Sequence, residues 1–268
     1  MSSILKIAGY IILFFSLHSC EKVIDFELKA TDPIIVVEGI VSSNDSIASV
    51  NLSWSEDFYS TSAYKAIDQA LVAVINESGE IYELNQTFPG TYQTNELPIE
   101  QNTEYRLLVN FGNKTYSAAS HMPYVTPIDS IFYTYSAETL FAPEGYRAWI
   151  VFTDPETKGN CYRLQLFVNE ERKTDGVFYL WDDKESNGVS VNFIFYMNSL
   201  DFNDQFNAEL WAIDRPTYDY LKSLQAITSD PQGAQPSAPA NPENNITNEA
   251  LGYFTAVAVS HSKTLLIK

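Results

Sequence analysis

Few side chains in this sequence are suited to covalent chemistry. The chain holds two cysteines and three histidines. A cysteine nucleophile needs a histidine to take its proton. His18 lies in the N-terminal leader, and neither His121 nor His261 sits in a recognisable nucleophile motif. Cys161 opens the alternating run Asn160-Cys161-Tyr162-Arg163-Leu164 and reads as a core cysteine. Acids are abundant, 34 against 16 basic residues, so chance pairs of carboxylates are cheap and none by itself points to glycoside cleavage. Asp182-Asp183-Lys184-Glu185 offers oxygens of the kind a hard cation takes. It lacks the alternate-position spacing of an EF-hand loop and reads as a solvated hairpin turn. Asp201 and Asp204, around Phe202-Asn203, read the same way. Asp32-Pro33 and Asp154-Pro155 read as turns. The sequence therefore names no catalytic residue, no metal ligand set and no cofactor, and the expectation is a protein that is not an enzyme.

The reactive residue with the clearest context is Cys20. Lys6 precedes the apolar run from Ile7 to Phe15, which leads into Leu17-His18-Ser19-Cys20 and then the charged Glu21-Lys22-Val23-Ile24-Asp25. Basic residue, short apolar core and small residue, in that order, make a secretory signal peptide over residues 1–19. The core is too short to span a bilayer comfortably. The Leu-x-Ser-Cys ending resembles a bacterial lipobox, with His18 a departure from the usual small or apolar residue, and implies a lipid on Cys20 after cleavage. Residues 20–32 then form a polar tether.

Aromatic residues make up 14% of the chain. Phe178-Tyr179-Leu180-Trp181 places Tyr179 and Trp181 on one face of a strand, where aromatics are usually core. Phe58, Tyr59 and Tyr64 break strict alternation within a Ser/Thr-rich loop over residues 56–64. Rigid aromatics on a loop supply contact area, and these three are the candidate ligand or partner surface. Asp45-Ser46-Ile47 and Asp129-Ser130-Ile131 resemble the Asp-Ser/Thr-apolar O-glycosylation site of Bacteroidetes, making Ser46 and Ser130 candidate modification sites; an exposed turn suits Ser46 better.

The elements that must position these residues are strands. β-branched or alternating runs recur from residue 34 to residue 118, broken by turn clusters such as Ser42-Ser43-Asn44-Asp45, Asn76-Glu77-Ser78-Gly79 and Gly112-Asn113. About seven strands in some 90 residues is the spacing of a small β-sandwich. Met122-Pro123-Tyr124-Val125-Thr126-Pro127 breaks both ladder and helix and reads as a boundary. Further alternating runs follow to the C-terminus, with no sign of βαβ units. One helix is expected from Asp214 to Ile227, with Pro216 in its first turn and Leu221 and Leu224 at helical spacing. Residues 230–248, rich in Pro and Asn, read as a disordered loop or an extended surface segment. The expected fold is all-β: an immunoglobulin-like or transthyretin-like sandwich over residues 33–123, then a larger sandwich over residues 124–268 carrying the helix and the long loop. The net charge of −18 repels phosphate backbones and excludes nucleic acid as a natural partner.

Several motifs occur in an order that resembles domain-of-unknown-function family 4249. They are Cys20-Glu21-Lys22-Val23-Ile24-Asp25, Val36-Val37-Glu38-Gly39, Tyr105-x-Leu107-x-Val109 with Tyr116-x-Ala118 and Met122-Pro123, then Asn241-Pro242-Glu243-Asn244-Asn245-Ile246 and Ala250-Leu251-Gly252-Tyr253-Phe254-Thr255-Ala256. Thr247-Asn248-Glu249 departs from the Gly-rich step that relatives often carry before Gly252. The resemblance implies an outer-membrane lipoprotein of the Bacteroidetes, of a kind often encoded beside TonB-dependent transporters, and carries no catalytic residues. Glu21 and Asp25 resemble a surface-export signal of that group. The expected function is a non-enzymatic, cell-surface lipoprotein, held to the membrane through Cys20, that serves a TonB-dependent outer-membrane transporter in ligand capture or as a scaffold. A structural or adhesive cell-envelope module is the alternative.

Overall fold

Alternation of apolar and polar residues at period two puts every second side chain on one face, and the strands follow it closely. In β1 (Ile35–Ser42), Ile35, Val37 and Val41 are buried while Glu38 is exposed. In β6 (Thr103–Phe111), Tyr105, Leu107 and Val109 are buried while Arg106 and Asn110 are exposed. The computed structural model describes residues 32–56, 64–138, 143–173, 178–184, 186–195, 200–228 and 241–268. Among them are sixteen strands and one helix.

The first seven strands are β1, β2 (Ile47–Trp54), β3 (Leu71–Ile75), β4 (Ile81–Phe88), β5 (Thr91–Thr94), β6 and β7 (Lys114–Met122). β1, β2 and β5 pair in sequence on one side, and β3, β6 and β7 on the other. β4 belongs to both sets: Ile81 to Leu84 pair with β3, and Asn85 to Phe88 pair with β5 across a register shift. The inward residues of both sets share one apolar core.

The later strands are β8 (Ile128–Ser136), β9 (Gly145–Thr153), β10 (Cys161–Val168), β11 (Glu171–Lys173), β12 (Tyr179–Asp182), β13 (Ser190–Ile194), β14 (Gln205–Ile213), β15 (Leu251–His261) and β16 (Leu265–Leu266). β13, β9 and β8 form a three-stranded sheet. It packs on the inner face of β10 and β14, with Phe152 edge-on to Tyr162 at 5.2 Å and Tyr179 edge-on to Phe193 at 5.5 Å. The outer face of the same strands carries α1 (Arg215–Thr228), which buries Thr217, Tyr218, Tyr220 and Leu221 against Cys161, Ile213 and Val257. Ile227, also at helical spacing, is 40% exposed.

Strand pairing runs across the Pro123–Pro127 connector. β15 pairs with β14 on one side and with β1 on the other, the latter in parallel from Val36–Leu251 to Ser42–Val257. Residues Pro33–Lys268 therefore form one compact unit whose hydrogen bonds link the first strand to the last long one. The parallel pair is very close. A Cβ on Gly252, whose φ is +100°, would lie 2.0 Å from the Val37 carbonyl oxygen, and one on Gly39 would meet Phe254 at 2.8 Å. Only glycine fits at 252, and a side chain at 39 would have to displace the Phe254 ring. Of the Pro/Asn-rich stretch, the described residues 241–248 run extended along β7. Thr247 N–H donates to the Ser117 carbonyl, Asn248 to that of Thr115, and Asn245 to those of Ala119 and Phe254. Residues 229–240 lie outside the described set.

Candidate functional site

Two hollows contain the candidate binding groups. The smaller, of about 350 Å³, contains Tyr64, the described member of the predicted aromatic contact surface. The outer face of β1 and β2 supplies Glu38, Asn51 and Ser53, and the β4–β5 turn supplies Pro89, Gly90 and Thr91. The turn is pinned by Asp68, whose carboxylate accepts from Gly90 N–H at 2.9 Å and from the Gln86 amide at 2.6 Å. Tyr64 is 81% exposed, as expected for a contact residue on a loop. Phe58 and Tyr59 lie outside the described residues, as does Cys20.

The larger hollow, of about 530 Å³, sits where β7, the connector and β14 converge. Its rim carries His121, Tyr124, Lys158 and Arg215, and Tyr162 and Cys161 line its depth. Asp214 is the residue that builds it. One carboxylate oxygen accepts from Thr217 N–H at 3.0 Å and so caps α1. The other accepts from Ser120 Oγ at 2.7 Å and His121 N–H at 3.1 Å on β7. A single side chain thus starts the helix and ties it to the first seven strands. Behind the wall, Thr126 Oγ1 donates to Tyr162, and the Tyr162 hydroxyl donates to Asp154 at 2.6 Å, while Asp154 also accepts from Gly188 N–H. Burial and the Asp154 bond push the Tyr162 hydroxyl well above its usual pKa, so it stays a donor.

Three sequence readings change here. Asp183 is not solvated, and neither is Asp154. Both are buried, and Asp183 accepts from the N–H groups of Gly159 and Asn160, fixing the loop that forms one side of the cleft. Two adjacent backbone N–H groups converge on the carboxylate and hold it inward. Nor is 182–185 a hairpin turn: β12 pairs with β10, and β13 with β9. Asp182 pairs with Arg215 at 3.1 Å and Lys184 at 3.4 Å, and Glu185 lies outside the described residues. Trp181 is a third correction. It is 37% exposed and donates to Ser186 Oγ, because β12 is an edge strand paired only with β10. Tyr179 on the same strand does pack on the core.

Cys161 is buried, and burial pushes its thiol up to about 12, with Arg215 acting in the opposite direction. At neutral pH it is a thiol, and its hydrogen donates to the Gly159 carbonyl. Among the described residues no cluster of three or more His, Cys, Asp or Glu could hold a metal ion. Asp204 serves its own turn, accepting from Asp201 N–H and the Asn169 amide. Ser46 lies exposed in the β1–β2 turn with φ +52°, and Ser130 is exposed on β8 beside a register shift. The sequence reading places Asp214 inside the helix; an Asp just before Arg215-Pro216-Thr217 is the signal that could have marked it as the cap. Its second contact, to Ser120 ninety-four residues away, has no local signature.

The family model described as Domain of unknown function (DUF4249) matches residues 21–263. No curated protein matches the chain. Among solved structures, a two-domain fibronectin type-III segment of chicken tenascin is similar, with 14% identity over 68% of this chain and 91% of that one and a TM-score of 0.21.

Proposed function

We propose, from the premise that this chain belongs to the DUF4249 family, that it is a lipid-anchored binding protein that captures or retains a ligand for a TonB-dependent outer-membrane transporter. The cleft of about 530 Å³ between β7 and β14 carries this reading. Its volume falls within the range of small-molecule sites. Its walls are held by hydrogen bonds accepted by Asp214 and Asp183 and donated by Tyr162, so little ordering is left for a ligand to induce. Tyr124, 65% exposed at the rim, offers an aromatic face, and Lys158 and Arg215 offer donors. The anchor is Cys20, at the end of the signal segment. The link to a transporter rests on the family resemblance. A pull-down of the lipidated protein from detergent-solubilised outer membranes, read by mass spectrometry, tests it. Co-purification of a transporter supports the reading; recovery of no envelope partner with either the parent or a Tyr124→Ala variant removes it.

A structural or adhesive role is the second reading, favoured by one observation. Phe132, 42% exposed on the outer face of β8, stacks on Trp149 at 5.9 Å and 5°, an apolar platform at the edge of the three-stranded sheet. Loss of cell–cell or surface adhesion in a Phe132→Ser variant would support that alternative.

A further inference from the structure

The outer face of β10 holds two positive charges that have no carboxylate partner among the described residues. Arg163 lies with its guanidinium carbon 4.8 Å from the centre of the Phe178 ring and 5.6 Å from that of Trp211. It is largely withdrawn from water, and burial lowers its pKa below the ordinary guanidinium value. Arg172, opposite Phe167 in the β10–β11 pairing, is close enough to repel it. Arg172 donates to the side-chain oxygen of buried Gln165 at 3.4 Å.

The carboxylates of the flanking strands are engaged elsewhere. Glu209 on β14 accepts from Trp211 Nε1 at 2.9 Å and lies 3.5 Å from His261. Glu171 pairs with Lys173 at 2.6 Å, and Asp182 with Arg215 and Lys184. Glu38 on β1 acts on Tyr253 and Tyr220, which stack at 4.6 Å, and Tyr253 is the polar group set against Arg163. Among the described residues no carboxylate pairs with Arg163 or Arg172. In a chain with 34 acids and 16 bases, two adjacent arginines lacking a counter-ion are unexpected on charge alone.

The rings and a hydrogen bond to Tyr253 fix the guanidinium, and its remaining N–H donors are the groups able to take a partner. A planar fork of this kind matches a carboxylate or phosphate, and desolvation strengthens the contact. An anion placed here also relieves the repulsion between the two arginines.

We propose that Arg163 and Arg172, walled by Phe178 and Trp211, form a binding site for a carboxylate- or phosphate-bearing molecule, distinct from the cleft between β7 and β14.

The test uses the full mature chain and two probes, inorganic phosphate and benzoate, titrated at constant ionic strength with chloride as control. Binding is read at the indole N–H of Trp211 by NMR, the signal being assigned with a Trp211→Phe variant. The expected result is a saturable shift with at least one probe that chloride does not reproduce; phosphate alone points to a phosphoryl ligand, and benzoate alone to a carboxylate on a ring. Arg163→Gln and Arg172→Gln should each weaken binding tenfold or more, and Arg163→Lys should restore only part, since it keeps charge but loses the fork. If Arg163→Gln does not fold, the exposed Arg172→Gln carries the test. The proposal is overturned if neither probe shifts Trp211 beyond chloride, or if Arg172→Gln titrates like the parent.

Discussion

Asp214 and Arg163 are charged residues at the same outer layer of the later strands, and their surroundings differ in kind. Asp214 accepts from three donors on two elements, and nothing about its charge is left for a ligand. Arg163 is fixed by rings and has no carboxylate within the described chain. The first is a charge used to build. The second is a charge held in place and left open. A charge whose hydrogen bonds are complete stabilises the fold, whereas one fixed by rings and a single tyrosine keeps donors available to a partner.

The largest effect is expected at the parallel pairing of β1 with β15. Gly252→Ala should cost about 3 kcal/mol or more in urea unfolding, since a Cβ there meets the Val37 carbonyl at 2.0 Å in a conformation that disfavours side chains. Such a loss should abolish both sites together. Asp214→Ala should cost about 1–3 kcal/mol, the loss of a helix cap plus two stranded donors on β7. Arg163→Gln, by contrast, should change the unfolding midpoint little while weakening anion binding. If Asp214→Ala leaves stability intact, or Arg163→Gln unfolds the protein, the division between building and open charges fails.

Cys161 gives a smaller, pH-dependent test. Its folded thiol is held at about 12, above its ordinary value of 9.0. The unfolded chain therefore loses this proton first as pH rises, and its contribution to stability is complete below about pH 9 and declines between there and about pH 12. Alkylation of Cys161 at neutral pH should be slow in the native protein and fast in urea. Rapid native labelling would mean that the cleft wall opens. The smallest effect on stability is expected from replacing Phe58, Tyr59 and Tyr64 with Ala. The melting temperature should hold nearly constant while partner binding weakens. A large drop in melting temperature would place those residues in a core.

Local pattern accounts for much of the fold. Strands alternate where period two demanded it, and α1 begins beside Pro216, with Leu221 buried. Exposure of Tyr64 and Ser46, and burial of Cys161, followed from residue type and turn context. The motifs Val36-Val37-Glu38-Gly39 and Ala250-Leu251-Gly252-Tyr253-Phe254 looked like separate signatures. Tertiary structure makes them two sides of one parallel ladder, with Gly39 and Gly252 kept small by each other's strand. Asn245 completes that junction by bonding both Ala119 and Phe254. Hydropathy period tells a residue which face to occupy, not which distant strand will lie beside it. The parallel strand partner of β1, the inward turn of Asp183 and the packing of Arg163 on Trp211 each depend on a chain segment remote in sequence, so only the folded chain decides them.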